Sequence, residues 1–348
     1  MRRDKALFVH GGLFALAAVL AWRASVAEEG TGSASEVELW KFDTDALQRV
    51  LYEDERRRVE LLPQRDAVGR YLVGKVVHTP APAQASTGSS ASTPDAGAAA
   101  LLEAEPEGES VESKSETFIG VSDANELVDS LVNLRALRAL GTVGPDKLED
   151  FGLVGEDTSR LLVEFTAGPK ELLFGGRTPG GGDFYVQQRP SGQVYVISGD
   201  IRRDVELAQS RLMERELLTV PEGTVVERVV LEQGGTTRTI VRSNEHPSFW
   251  TDETAPAEKD ETLTNWMKKF ERLRINEYVE GEPEAYEPLV VAAFMSGDEA
   301  LGSIEFGQQP NSDGKPRYLA RSPQSRWWGV VLASSGSQLA EDLPTILQ

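Results

Sequence analysis

Apolar positions along this chain fall into two periods, and the period changes segment by segment. Phe184-Tyr185-Val186-Gln187 and Val194-Tyr195-Val196 alternate as half-buried strands do. Leu127, Val128, Leu131, Leu134 and Leu137 recur at helical spacing. Asp123, with Glu126 three residues on, predicts the capped start of that helix. Asp260 precedes a second stripe of the same kind, Leu263, Trp266, Met267, Phe270 and Leu273. Each stripe predicts a core face packed on a sheet. Phe249 and Trp250, beside Pro247, are expected to pack under the second helix.

Taken in order, the segments occur twice. One module opens with Glu38-Leu39-Trp40-Lys41-Phe42, the other with Glu216-Leu217-Leu218-Thr219-Val220. Each runs into a hairpin, Arg49–Glu53 with Arg58–Pro63 and Arg228–Glu232 with Thr237–Arg242. Gln233-Gly234-Gly235 supplies the second turn. After each helix come strand-like segments: Leu161–Phe165, Glu171–Phe174, Phe184–Gln188 and Val194–Ser198, then Leu289–Phe294, Gly302–Phe306, Arg317–Arg321 and Trp327–Leu332. A last helix is expected over Ile201–Glu216 and again over Ser337–Leu347. Phe174-Gly175 matches Phe306-Gly307, Tyr185 matches Tyr318, and Tyr195 matches the Trp327-Trp328 pair. The order of elements predicts an α+β fold of two similar modules, residues 37–215 and 216–348, each an antiparallel sheet with a helix packed on one face.

The first 36 residues and the stretch from His78 to Glu116 stand apart. Basic Arg2, Arg3 and Lys5 precede an uncharged run from Ala6 to Trp22. Seventeen residues at about 1.5 Å each reach roughly 25 Å, the short end of a membrane span. The basic flank puts the N-terminus in the cytoplasm and the rest outside. Residues 1–27 thus form a retained single-pass anchor or a signal segment cut after Ala27, where Ser25-Val26-Ala27 fits the small-x-small rule. The length of the run and Arg23 favour the anchor. Residues 28–36 read as a polar tether. Residues 78–116, rich in Ala, Ser, Thr, Pro and Gly and then acidic, carry too little apolar surface to offset ordering entropy and are expected to form a disordered insertion.

The 348 residues include 36 Lys+Arg against 56 Asp+Glu, a net charge of −20, which excludes a phosphate-tracking nucleic-acid binder. There is no Cys, so disulfides, thiolate metal sites and a Cys nucleophile are ruled out. With three His and no Gly-x-Ser-x-Gly, no hydrolase constellation is visible. The Gly-rich Thr178–Asp183 loop lacks the Gly-Lys-Ser/Thr of a phosphate cradle and reads as a hairpin turn. Asp146, Asp150, Glu156 and Asp157 are acidic but lack the EF-hand pattern. No catalytic residue, cofactor or metal is assigned. Arg326, Trp327 and Trp328 are the candidate interface, because adjacent Trp residues on a strand point to opposite faces and Trp and Arg anchor interfaces.

Several motifs resemble the bacterial domain of unknown function 4340 family. They are Leu39-Trp40-Lys41-Phe42-Asp43, Phe151-Gly152-Leu153, Leu172-Leu173-Phe174-Gly175, the Phe184-Tyr185-Val186 and Val194–Ile197 pair, and Ser210–Leu218. The resemblance covers about Val37 to Leu218 and is fainter afterwards; the insertion replaces the family's short turn before the helix. These motifs are structural, and the family offers no catalytic residues to carry over. The resemblance implies an envelope accessory protein that accompanies gliding-type ABC transporters, with an ABC permease and its large periplasmic auxiliary subunit as partners. The expectation is therefore a non-enzymatic accessory or scaffold in the bacterial inner membrane, its bulk in the periplasm. The alternative is a glycan or envelope-polymer binding module using exposed aromatics such as Trp328. A hydrolase with paired carboxylates is the least favoured reading.

Overall fold

A computed structural model describes residues 36–79, 114–155, 158–311 and 314–348. The expected anchor or signal segment 1–27, nearly all of the 28–36 tether and the body of the 78–116 insertion lie outside the described residues. Among the described residues, no helix is long and apolar enough to cross a membrane. The chain is mixed α+β, with antiparallel sheets and a smaller share of helix.

The first strands are β1 (Val37–Glu38), β2 (Leu47–Glu53), β3 (Arg57–Arg65), β4 (Arg70–His78) and β5 (Ser115–Gly120). Helix α1 (Ser122–Val132) leads to β6 (Arg135–Ala136), β7 (Arg138–Gly141) and the short α2 (Pro145–Asp150). Four strands follow, β8 (Ser159–Phe165), β9 (Gly168–Arg177), β10 (Phe184–Arg189) and β11 (Val194–Ile197), then α3 (Gly199–Glu206) and α4 (Ala208–Leu212). The second half holds β12 (Arg228–Gln233), β13 (Thr236–Arg242), β14 (Trp250–Asp252), α5 (Glu261–Phe270) and β15 (Ile275–Val279). It closes with β16 (Glu287–Ser296), β17 (Glu299–Gln309), β18 (Arg317–Arg321), β19 (Trp328–Val331) and α6 (Ala333–Ile346). The chain groups into two compact units. The smaller holds the described residues up to Phe42 with Val132–Thr158 and Leu172–Gly199; the larger holds Asp43–Leu131, Ser159–Glu171 and Asp200–Gln348.

The strand orders are β5-β4-β3-β2-β8-β9-β10-β11-β7 and β14-β13-β12-β16-β17-β18-β19-β15. With β5 set aside, the two orders correspond strand for strand. The pairing agrees in detail: Val50 lies between Leu61 and Val163, and Val229 between Ile240 and Phe294. Gly234 and Gly235 both have positive φ, +54° and +87°, as the tight β12–β13 turn requires.

Register corrects two of the sequence matches. Ile197 and Val331 each stand two residues before a helix, α3 and α6. Counting from them, the pairs Phe184–Ile197 and Leu319–Val330 align Phe184, not Tyr185, with Tyr318. Phe184 and Tyr318 are both buried, and their rings meet Phe174 and Phe306 at 6.5 and 6.0 Å. Likewise Val194 aligns with Trp328, and Tyr195 with Gly329. Matching aromatics one residue out of step places them on the wrong face, because side chains alternate with period two.

Helix boundaries also differ from the periodic stripe. Asp123 lies in the first turn of α1 and does not cap it; the helix begins at Ser122, and Asn125 N donates to the Val121 carbonyl. A carboxylate there still complements the helix dipole. Ala124, Leu127, Val128 and Leu131 are buried as expected. Leu134 and Leu137 lie beyond the helix, because backbone pairing captures them. The Leu134 carbonyl accepts from Leu39 N at 2.9 Å, and Leu137 N donates to Val196 O at 2.8 Å. In α5, Asp260 does cap, accepting from Leu263 N at 2.9 Å. Trp266 stacks on Phe270 at 4.9 Å, and Phe270 meets Phe294 and Phe306. The Trp266 indole donates to Leu339 O, and Gly336 lies against the Tyr318 ring, so α5 and α6 share one face of the sheet. Phe249 and Trp250 are buried, with Trp250 N donating to Thr264 Oγ1 of α5 at 2.9 Å.

The single helix expected over Ile201–Glu216 is divided at Leu207 and ends at Leu212. Residues 214–216 extend instead between two strand edges. Glu214 N donates to Ile119 O of β5, Ile275 N of β15 donates to Arg215 O, and Glu216 bridges Arg274. Strand β5 also takes Ser115 and Glu116 out of the expected insertion, pairing them with Val77 and Val76.

Candidate binding site

The Arg326-Trp327-Trp328 segment is not one continuous strand. Ser322 and Ser325 close a turn on each other, Ser322 N to Ser325 Oγ at 2.9 Å and Ser325 N to Ser322 Oγ at 3.1 Å. Arg326 leaves this turn with φ +60°, a left-handed conformation uncommon for a residue with a side chain. What holds it there is visible. Its guanidinium forms a two-point ion pair with Asp66, at 2.7 and 3.1 Å, and lies 4.3 Å over the Tyr71 ring. Asp66 is oriented in turn by the amides of Val68 and Gly69, both at 2.9 Å. Arg326 beside Asp66 holds that carboxyl below the usual carboxylate range. Arg326 thus ties the β18–β19 turn to the β3–β4 turn.

Strand β19 starts only at Trp328, which is 2% exposed. Its indole donates to Glu282 at 2.9 Å, the Arg321 guanidinium lies 4.3 Å over the ring, and Tyr286 packs 4.3 Å away. Trp328 is therefore closed to an external ligand, contrary to the expectation of an exposed stacking surface. Trp327 is half-buried, edge-on to Tyr278 at 6.4 Å.

A cavity of about 620 Å³ lies in the smaller unit. Its floor is Leu137, Leu140 and Val196, and its wall is the stacked pair Phe151 and Tyr185, whose centroids are 4.2 Å apart at 15°. Arg138, Asp183 and Thr178 border it. Backbone geometry fixes the wall. Gly152 has φ +62°, and Gly176 N donates to Phe151 O at 2.7 Å. A Cβ on Gly175 would stand 2.3 Å from that same oxygen, so only glycine allows the approach. Gly307 repeats the arrangement, with Glu287 O and the Tyr286 ring at 2.4 and 2.5 Å. Volume and lining suit a small ligand: an apolar floor, an aromatic wall and few polar groups.

The sequence reading missed this cavity, although it singled out most of the wall. Phe-Gly-Leu, Phe-Gly and Tyr185 were each visible, but nothing local indicated that they meet. The Gly-rich segment is the β9–β10 turn, closed by Thr178 N to Asp183 O at 2.9 Å. Asp146 and Asp150 lie in α2, while Glu156 and Asp157 are outside the described residues. Among the described residues, no three His, Cys, Asp or Glu side chains are grouped to hold a metal.

A family model described as a domain of unknown function, DUF4340, matches residues 112–289. The chain belongs to this family. The DUF4340 match begins just before β5, runs past Leu218, and ends inside β16, so it reaches further toward the C-terminus than the motif resemblance. It contains the whole of the Phe151–Tyr185 cavity and its glycines. No curated protein and no solved structure matches the chain.

Proposed function

We propose that this DUF4340 protein is a non-enzymatic accessory or scaffold of the bacterial envelope. Residues 6–22 hold it in the inner membrane as a single-pass helix. Two similar modules, each an antiparallel sheet with a helix packed on one face, stand in the periplasm beside an ABC permease and its large auxiliary subunit. The observation that carries this reading is the use made of the motif residues. Phe151, Gly152, Phe174 and Gly175 are spent on close packing, with the backbone approach at Gly175 as its centre. A signature of packing residues supports a scaffold. The basic residues ahead of an uncharged run support the anchor, and the net charge of −20 suits a solvated surface. The test is crosslinking of the membrane-embedded protein in its native host, followed by mass spectrometry. Enrichment of an ABC permease and a large periplasmic subunit is expected; their absence from the crosslinked set sinks the reading.

A second reading has one observation in its favour. The Phe151–Tyr185 cavity, with Arg138 and Asp183 at its border, offers a ring-stacking wall beside polar groups, as a periplasmic glycan-binding module needs. Retention on envelope polysaccharide that is lost in Tyr185→Ala is expected on this reading, and equal retention of both proteins rejects it.

A further inference from the structure

The two repeats differ at one place in a way that opens space. Glu38 pairs with Arg135 in the first, and Glu216 with Arg274 in the second. Counting on from these equivalent pairs, Leu218 and Val220 stand where the first repeat has Trp40 and Phe42. Trp40 is 5% exposed, so its position is an interior one. In the second repeat Leu218 and Val220 line a cavity of about 330 Å³ instead. Phe270, Phe294 and Ile304 are its deep walls, contributed by α5, β16 and β17.

The charges around the opening are matched. Arg274 is paired with Glu216 at 3.0 Å, Arg242 donates to Ser248 Oγ at 3.2 Å, and Glu271 stands with these two arginines in the lining. The opening thus favours neither an anion nor a cation, and the deep walls, Phe270, Phe294 and Ile304, are apolar. An apolar cavity of about 150 Å³ binds benzene in a protein core, so this one accommodates a single ring with a short substituent. We propose that the cavity is a binding site for a small neutral molecule bearing one aromatic ring, which takes the place that the Trp40 indole holds in the first repeat. This site is separate from the Phe151–Tyr185 cavity and does not depend on the envelope reading.

The experiment uses the full chain and free indole as the probe, with binding read by ligand-observed saturation-transfer NMR. Saturable binding is expected for the wild type. It should weaken at least tenfold in Leu218→Trp, which restores the residue of the first repeat, and in Val220→Phe, which fills the cavity without touching Leu218. Far-UV circular dichroism identifies the folded variants, and Val220→Phe decides where Leu218→Trp fails to fold. No saturable signal from the wild type up to the solubility limit of indole overturns the proposal. So does undiminished binding to a folded, filled variant.

Discussion

Gly175→Ala tests the packing logic of the family motif most directly. The added Cβ would lie 2.3 Å from Phe151 O and 3.0 Å from both the carbonyl carbon and the oxygen of Gly152. Real Cβ atoms essentially never approach closer than 3.0 Å. The obstacle is backbone, not the end of a flexible side chain, so relief requires Phe151-Gly152 to move away from β9. Overpacking of this kind costs about 1–3 kcal/mol. The movement also stretches the 2.7 Å hydrogen bond from Gly176 N to Phe151 O, worth roughly 1 kcal/mol. The expected loss is therefore about 2–4 kcal/mol, measured as a lower urea midpoint at unchanged slope. Gly182→Ala is the matched control: it lies in the turn that follows β9, and its Cβ would meet nothing within 4 Å. It should change stability by less than about 0.5 kcal/mol. Equal stability of Gly175→Ala and wild type would falsify the claim that the motif is a backbone lock. Gly307→Ala, its counterpart in the second sheet, should repeat the loss.

Four further expectations rest on particular contacts. Arg326→Ala removes an ion pair and a cation–π contact from a residue whose side chain is 9% exposed, and should cost about 1–2 kcal/mol in urea unfolding; a loss near zero rejects the clamp. Because Arg326 depresses the folded-state pKa of Asp66, its contribution is complete above the unfolded carboxylate value of about 3.9 and is lost as pH falls through the lower folded value. The stability gap between wild type and Asp66→Asn should accordingly hold from pH 7 to 5 and narrow at more acid pH, whereas a gap that does not narrow as pH falls below the unfolded value contradicts this assignment. Phe270→Ala deletes a fully buried ring from the α5 aromatic cluster and should cost about 3–5 kcal/mol; calorimetry showing less than 1 kcal/mol would mean that the cluster repacks. Thr79 and Lys114 lie at the ends of paired strands, with His78 N donating to Lys114 O at 3.1 Å, so exchanging residues 80–113 for a short turn should leave the melting temperature within a few degrees. A larger drop would show that those residues contribute to the fold.

Short-range periodicity carries much of this fold. The β2–β3 and β12–β13 hairpins, the buried stripes of α1 and α5 and the doubled order of strands all depend on residues close together in the chain. Strand periodicity of two and helical periodicity of 3.6 are visible locally, and so is a glycine pair at a tight turn. Element ends were less legible. Leu134 and Leu137 keep helical spacing, yet they leave α1 because Leu39 N and Val196 O, both distant in sequence, claim their backbone groups. Strand β4 and the edge strands β5, β7, β14 and β15 escaped notice for a related reason. Their identity depends on partners, such as the 214–216 segment that runs between β5 and β15.

Register, and with it the sites, was decided only in three dimensions. A shift of one residue turns Tyr185 and Tyr318 from apparent equivalents into residues of opposite faces, a distinction that composition does not carry. Arg326 and Trp328 had the residue types of an interface, but the turn at Ser322–Ser325 and the partners Asp66, Tyr71, Arg321 and Glu282 engage them within the chain. Both cavities arise from long-range packing. One needs Phe151 to meet Tyr185 across 34 residues, and the other needs Leu218 and Val220 to meet Phe270, Phe294 and Ile304. Local propensity fixes the elements, while space is left over only after distant elements have packed.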